Sequence, residues 1–169
     1  MEMIYLGYLF TVINYIFYCI SRFMRKKETI LAMDLLAKLF TVVGLYGLGS
    51  ITGVGNMLLI FVMNIVCYMK EKKKWKLTAI YWVFEMMLVF ILWETYAGIS
   101  SILVFSCSSI TLLANWWLNP QHMRISAICG CVLYLAYQIS IKNWAGLLEL
   151  LALGSNFASW LKYRKQDRL

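Results

Sequence analysis

The chain of 169 residues is 62% hydrophobic and only 14% charged, with a formal net charge of +8 and a mean hydropathy of +0.71. Soluble domains average about 45–50% apolar and about 25% charged residues, so a water-soluble domain of this size is excluded: it could not hide this much apolar surface. A single proline and no Ser- or Gln-rich tract leave no linker, so one transmembrane domain, 1–169, is expected.

A helix needs about 20 mostly apolar residues to cross a bilayer. Seven runs meet that requirement, at 3–21, 30–48, 52–69, 77–94, 98–117, 124–141 and 144–161. They are continuous rather than alternating, which marks helices and not barrel strands. The first run is followed, not preceded, by its positive cluster, so it is expected to stay as a span rather than be cleaved as a signal. The second run contains Ala-Met-Asp-Leu-Leu-Ala-Lys-Leu-Phe, with Asp34 and Lys38 inside apolar surroundings. The third carries Gly53, Gly55, Asn56 and Asn64, the fourth Glu85, and the fifth Asn115, Trp116 and Trp117. Tyr137 lies near the end of the sixth, and the seventh holds Gly146, Glu149 and Asn156.

The connections alternate in charge. Those after the first, third, fifth and seventh runs (22–27, 70–76, 118–124 and 162–168) hold fourteen of the sixteen basic residues. Cytoplasmic loops carry the Lys/Arg excess. The N-terminus is therefore expected outside the membrane and the C-terminus in the cytoplasm. The basic loops read as topology signals and contacts to anionic lipids, not as a nucleic-acid surface.

The segments also repeat. Tyr46, Gly55, Asn64 and Lys70 recur as Tyr137, Gly146, Asn156 and Lys162 at a nearly constant interval. The expected architecture is all-α, seven transmembrane helices in a 3+1+3 parallel repeat. Residues 1–76 form one three-helix bundle, 77–97 a linking helix and 98–169 the second bundle. Parallel repeats about an axis along the membrane normal are a known transporter plan.

Ionisable groups in mid-membrane cost roughly 2.5–3.5 kcal/mol each on insertion scales. Asp34 and Lys38 are one helical turn apart, so they share a face and are expected to pair. Glu85, at similar depth, offers Lys38 a second partner. Together with Glu149 these residues form a candidate gate or coupling site; the alternative is a buried salt bridge that fixes helix registry. Asn14, Asn64, Asn115 and Asn156 can both donate and accept, which suits a neutral, hydroxylated solute, with Asn64 and Asn156 paired under the repeat and Trp116 available to stack on a ring. Equally, such amides join helices to one another. The five cysteines lie in apolar segments without a Cys-x-x-Cys spacing, and His122 stands alone in a loop. No metal, cofactor or catalytic set is implied, so the chain is not expected to be an enzyme.

The stretch NPQHMRISAICGCVLYLAYQISIKNWAGLLELLALGSNFASWLKYRK, at 119–165, resembles the C-terminal half of the YgjV-like bacterial inner-membrane proteins. GLYGLGSITGVGNMLLIFVMNIVCYMKEKKK, at 44–74, resembles their first half. Arg124, Tyr137, Gly146, Glu149 and the Gly53/Gly55/Asn56 patch carry the likeness, while Tyr134 stands where a family Trp is expected. The resemblance implies an inner-membrane location and an architecture similar to the SWEET, PQ-loop and nicotinamide-riboside transporter group of seven-span proteins. Pro120-Gln121 falls where that group has its Pro-Gln motif; the first half has Glu28-Thr29 there instead. The expected function is a small-solute transporter or facilitator with a polar site between two bundles. The alternative is a non-transporting scaffold or sensor that partners another membrane protein. Homo-oligomerisation is compatible with the sequence, but a pore made from two fused repeats does not require it.

Overall fold

The structure is a computed structural model and describes residues 2–74 and 78–164. Lys76 of the second basic connection, the boundary of the linking helix at 76 and 77, and the tail charges at 165–168 lie outside the described residues. The described residues form α1 (Glu2–Arg22), α2 (Lys27–Gly47), α3 (Ile51–Lys73), α4 (Thr78–Glu94), α5 (Ile99–Trp117), α6 (Pro120–Ser140), a short 3-10 helix (Trp144–Leu148) and α7 (Glu149–Arg164), with no strand. By length and composition, α2, α3, α5 and α6 are long and apolar enough to cross a membrane. α7 has 16 residues, but the 3-10 helix of 5 residues precedes it directly. At about 1.5 Å per α-helical and about 2 Å per 3-10 residue, the two together reach about 34 Å, a bilayer's hydrocarbon thickness.

Helix boundaries follow local chemistry rather than hydropathy alone. α6 starts before the apolar run because Asn119 caps it, accepting the His122 N–H at 2.9 Å, and because Pro120 fits the first helical turn. α3 outlasts its apolar run because Lys70, Lys72 and Lys73 suit the negative end of the helix dipole.

Successive helices run antiparallel. α1 packs on α2, α2 on α3, α5 on α6 and α6 on α7. Contacts between α1 and α7 and between α3 and α5 join the two sets into a ring, while α4 packs outside the ring on α3 and α5. The basic connections gather at one end. Lys27 pairs with Glu71 at 2.7 Å, Lys70 donates to the Trp116 carbonyl at 2.7 Å, and Tyr163 donates to the Phe23 carbonyl at 2.8 Å. α4 buries Tyr81, Phe84 and Leu88 against the core and turns Trp82, Met86, Phe90 and Trp93 outward.

The turns that follow α2 and α6 share one hydrogen-bond pattern. Leu48 N–H donates to the Gly44 carbonyl, Gly49 to Tyr46 and Ser50 to Leu45; Ile141 donates to Tyr137, Lys142 to Ile139 and Asn143 to Gln138. The pivot residues Gly49 and Lys142 both have positive φ, 74° and 56°, the conformation that ends such helices. A Cβ on Gly53 would collide with Tyr137 Oη and crowd Leu45, and a Cβ on Gly146 would collide with Gln138. Gly53 and Gly146 thus stand at matching positions after these two turns, a spacing different from the one that equates Tyr46 with Tyr137. Tyr46 is exposed, while Tyr137 is buried.

Candidate functional site

A cavity of about 60 Å³ lies inside the ring, room for about four waters at about 15 Å³ each. Helical periodicity builds its wall. From α1 come Asn14, Tyr15, Tyr18 and Arg22; from α2, Asp34, Lys38 and Thr41; from α5, Cys107, Thr111 and Asn115. α6 adds Ser126, Cys131 and Tyr134, and α7 adds Glu149. An apolar exterior thus encloses a wall with four ionisable groups of alternating sign.

The basic end of the cavity is closed by Arg22 and Asp34, which form a direct ion pair. Ser21 Oγ donates to Asp34 Oδ1 at 2.6 Å, and the Arg22 guanidinium lies 4.3 Å from the Tyr18 ring centre. Around this pair, Arg124 donates to the Met24 carbonyl at 2.7 Å and the Arg22 carbonyl at 3.2 Å. Arg124 also stacks on Tyr163 at 4.5 Å. The carbonyls at and just beyond the end of α1 are thereby capped by Arg124 of α6, and by Tyr163 of α7 at Phe23.

At the opposite end Tyr134 lines the cavity, its ring centre 5.6 Å from that of Tyr137. Tyr137 Oη shares a hydrogen bond with Ser50 Oγ. Beyond Tyr137 an open depression of about 540 Å³ is lined by Ser50, Thr52, Glu94 and Ser101. Two tyrosines in tilted ring contact therefore separate the inner cavity from this outer one.

On the cavity's flank, Glu149 is 5% exposed and accepts a 2.7 Å hydrogen bond from Tyr15 Oη. Lys38 reaches only the Met57 thioether, at 3.8 Å, and forms no ion pair among the described residues. Lys38 and Glu149 face the same space without meeting.

The pairing expected from sequence is corrected here. Asp34 pairs with Arg22 rather than Lys38, because the end of α1 folds back beside the start of α2 and the guanidinium offers a planar, multidentate donor set. Glu85 does not reach Lys38 or the cavity; it accepts from Tyr81 at 3.0 Å and Ser109 at 2.7 Å, between α4 and α5. Asn64 is fully buried outside the cavity and accepts from Asn115 at 2.6 Å. Asn156 also lies outside it, donating to Tyr18 Oη at 3.1 Å and the Ala152 carbonyl at 2.9 Å. Trp116 packs against Tyr81 and beneath the Lys70 ammonium, 4.4 Å from the ring centre, away from the cavity. Asn14, Asn115, Asp34, Lys38 and Glu149 do line it. Pro120-Gln121 serves as a helix start and an inter-helix tie, with Gln121 donating to the Trp160 carbonyl at 2.9 Å.

Sequence reasoning missed Arg22, which counted as a loop charge yet is 3% exposed, and also Tyr15, Tyr18 and Tyr134. The signal was present: Asn14, Tyr18 and Arg22 recur every fourth residue on one face of α1.

A polar chamber in a bundle with an apolar exterior is the inverse of a soluble core, and it is how a multi-pass protein satisfies polar groups within lipid. The model of the Imp-YgjV family, described as bacterial inner membrane protein, matches residues 5–167. No curated protein and no solved structure matches the chain. With nearly its whole length matched, the chain belongs to the Imp-YgjV family of bacterial inner membrane proteins.

Proposed function

We propose that this protein is a small-solute transporter or facilitator whose solute site is the chamber inside the helix ring. The observation that carries this reading is a charged cavity closed at each end by a few side-chain contacts. In this account Arg22–Asp34 is the gate at the basic end, and Tyr134, Tyr137 and Ser50 form the gate at the other. Each gate consists of contacts that can break without unfolding a helix. The basic end faces the cytoplasm, where the Lys/Arg excess belongs, so the N-terminus is outside and the C-terminus inside.

The same reading takes the fold as a 3+1+3 repeat, with α1–α3 and α5–α7 as the two bundles and α4 as the link. The matching turns support it. So do the seams: Asn64 on the third helix of one bundle bonds Asn115 on the first helix of the other. Asn156 and Tyr18 make the reciprocal contact. These amides then serve as hinges between bundles rather than as ligands for the solute. Two bundles rocking about such seams would open the gates alternately.

The test is uptake of labelled small polar solutes into liposomes containing the purified protein. Arg22→Ala/Asp34→Ala should turn gated uptake into a leak, and Ala127→Trp, which fills the chamber, should abolish it. Equal uptake by protein-free liposomes would end the proposal. A scaffold role draws support from the outward Trp82, Met86, Phe90 and Trp93 of α4; it predicts unchanged function after Ala127→Trp and loss after substitution of that face.

A further inference from the structure

Lys38 and Glu149 are the two charged side chains of the chamber wall without an ion-pair partner among the described residues. They stand on α2 and α7, on the wall of one cavity. They do not form an ion pair, and the other two ionisable groups of the wall, Arg22 and Asp34, already satisfy each other. What remains is one ammonium and one carboxylate facing the same low-dielectric space. Water alone leaves both poorly compensated. A neutral solute matches neither, an anion matches only Lys38, and a cation matches only Glu149. A molecule with one positive and one negative group matches both at once.

We propose, building on the transporter reading, that the chamber binds a small zwitterion, of the kind in which an ammonium and a carboxylate share a short carbon skeleton. The solute's carboxylate takes Lys38 as its counter-charge. Its ammonium takes Glu149, which already accepts from Tyr15 Oη at 2.7 Å. Asn14 lies on the same wall, 7% exposed, and its side chain makes no hydrogen bond among the described residues. Its amide can donate to the carboxylate and accept from the ammonium. The cavity of about 60 Å³ admits a solute that displaces about four waters, which selects the smallest members of the class. No bond is made or broken; the solute supplies the charges that the wall lacks.

The probe is radiolabelled glycine, with protein in proteoliposomes and binding measured in parallel on detergent-solubilised protein. Acetate, methylammonium, both together, and glycerol complete the set. Glycine should be bound and taken up, at least tenfold better than acetate or methylammonium alone or combined. Lys38→Met and Glu149→Gln should each lower glycine binding at least tenfold while the protein still elutes as a single folded species. Lys38→Arg, which keeps the charge, should retain part of it. Glycine no better than the acetate–methylammonium mixture, or binding unmoved in both variants, overturns the zwitterion assignment. Uptake of glycerol without glycine leaves the transporter reading standing and removes only the solute class. Protein-dependent uptake of none of the five removes both.

Discussion

The Arg22–Asp34 pair makes the sharpest energetic prediction. Both side chains are nearly sealed from outside, at 4% and 6% exposure, and Ser21 and Tyr18 complete the surroundings of the pair. Removing one partner of such a pair leaves an uncompensated buried charge and costs about 3–5 kcal/mol. For a chain of this size, about 2–4 °C in Tm per kcal/mol converts that into a fall of roughly 6–20 °C for Asp34→Ala or Arg22→Ala. The double variant removes both charges and should recover most of the loss, so the cycle gives a coupling energy of at least about 2 kcal/mol. Thermal unfolding of the detergent-purified protein, followed by tryptophan fluorescence, measures all four species. A parallel cycle between Asp34 and Lys38 should give a coupling below about 0.5 kcal/mol. If Asp34 couples more strongly to Lys38 than to Arg22, the geometry of this end of the chamber is wrong.

Lys38→Met should leave Tm unchanged or raise it, since it removes a mid-membrane charge worth up to about 3 kcal/mol, while uptake falls. A Tm loss comparable to that of Arg22→Ala would contradict the unpaired Lys38. Gly53→Ala and Gly146→Ala should each cost about 1–3 kcal/mol by overpacking against Tyr137 and Gln138; Gly154→Ala, with open space around it, should be neutral or stabilising in the same melts. Asn64→Leu should cost about 1–3 kcal/mol, because it strands the Asn115 amide, and Asn64→Leu/Asn115→Leu should recover part of it. Glu85→Gln keeps its hydrogen-bonding capacity and lies outside the chamber, so uptake should stay within about twofold of the parent; a larger loss would place Glu85 on the solute path.

The helices were legible because each follows a long apolar run, and α2, α3, α5 and α6 are long and apolar enough to cross a membrane and satisfy their own backbone there. The partners of the buried polar groups were not. A single sequence gives spacing along a helix but not which helix faces which, so Asp34 was assigned the nearest base on its own face. Arg22 was hidden by the same rule that revealed topology: at the end of a span an arginine reads as a loop charge. The sequence spacing equates Tyr46 with Tyr137, yet Tyr46 is exposed and Tyr137 buried. The two turns share a hydrogen-bond pattern that places Gly53 and Gly146 alike, each held against the preceding helix. The 3-10 helix at Trp144–Leu148 carried no sequence signal apart from Gly146, whose missing side chain lets the segment press on Gln138.

Transport by the proposed route requires the chamber to open in turn to each side of the membrane. A single cysteine at position 127, on the α6 wall of the chamber, in a variant whose five native cysteines are replaced, reports on this directly. A membrane-impermeant thiol reagent is applied from one side and then from the other of sealed, oriented vesicles. The account predicts labelling from both sides, slowed from both by a bound solute. Labelling from neither side, or from one side alone under every condition, would contradict it.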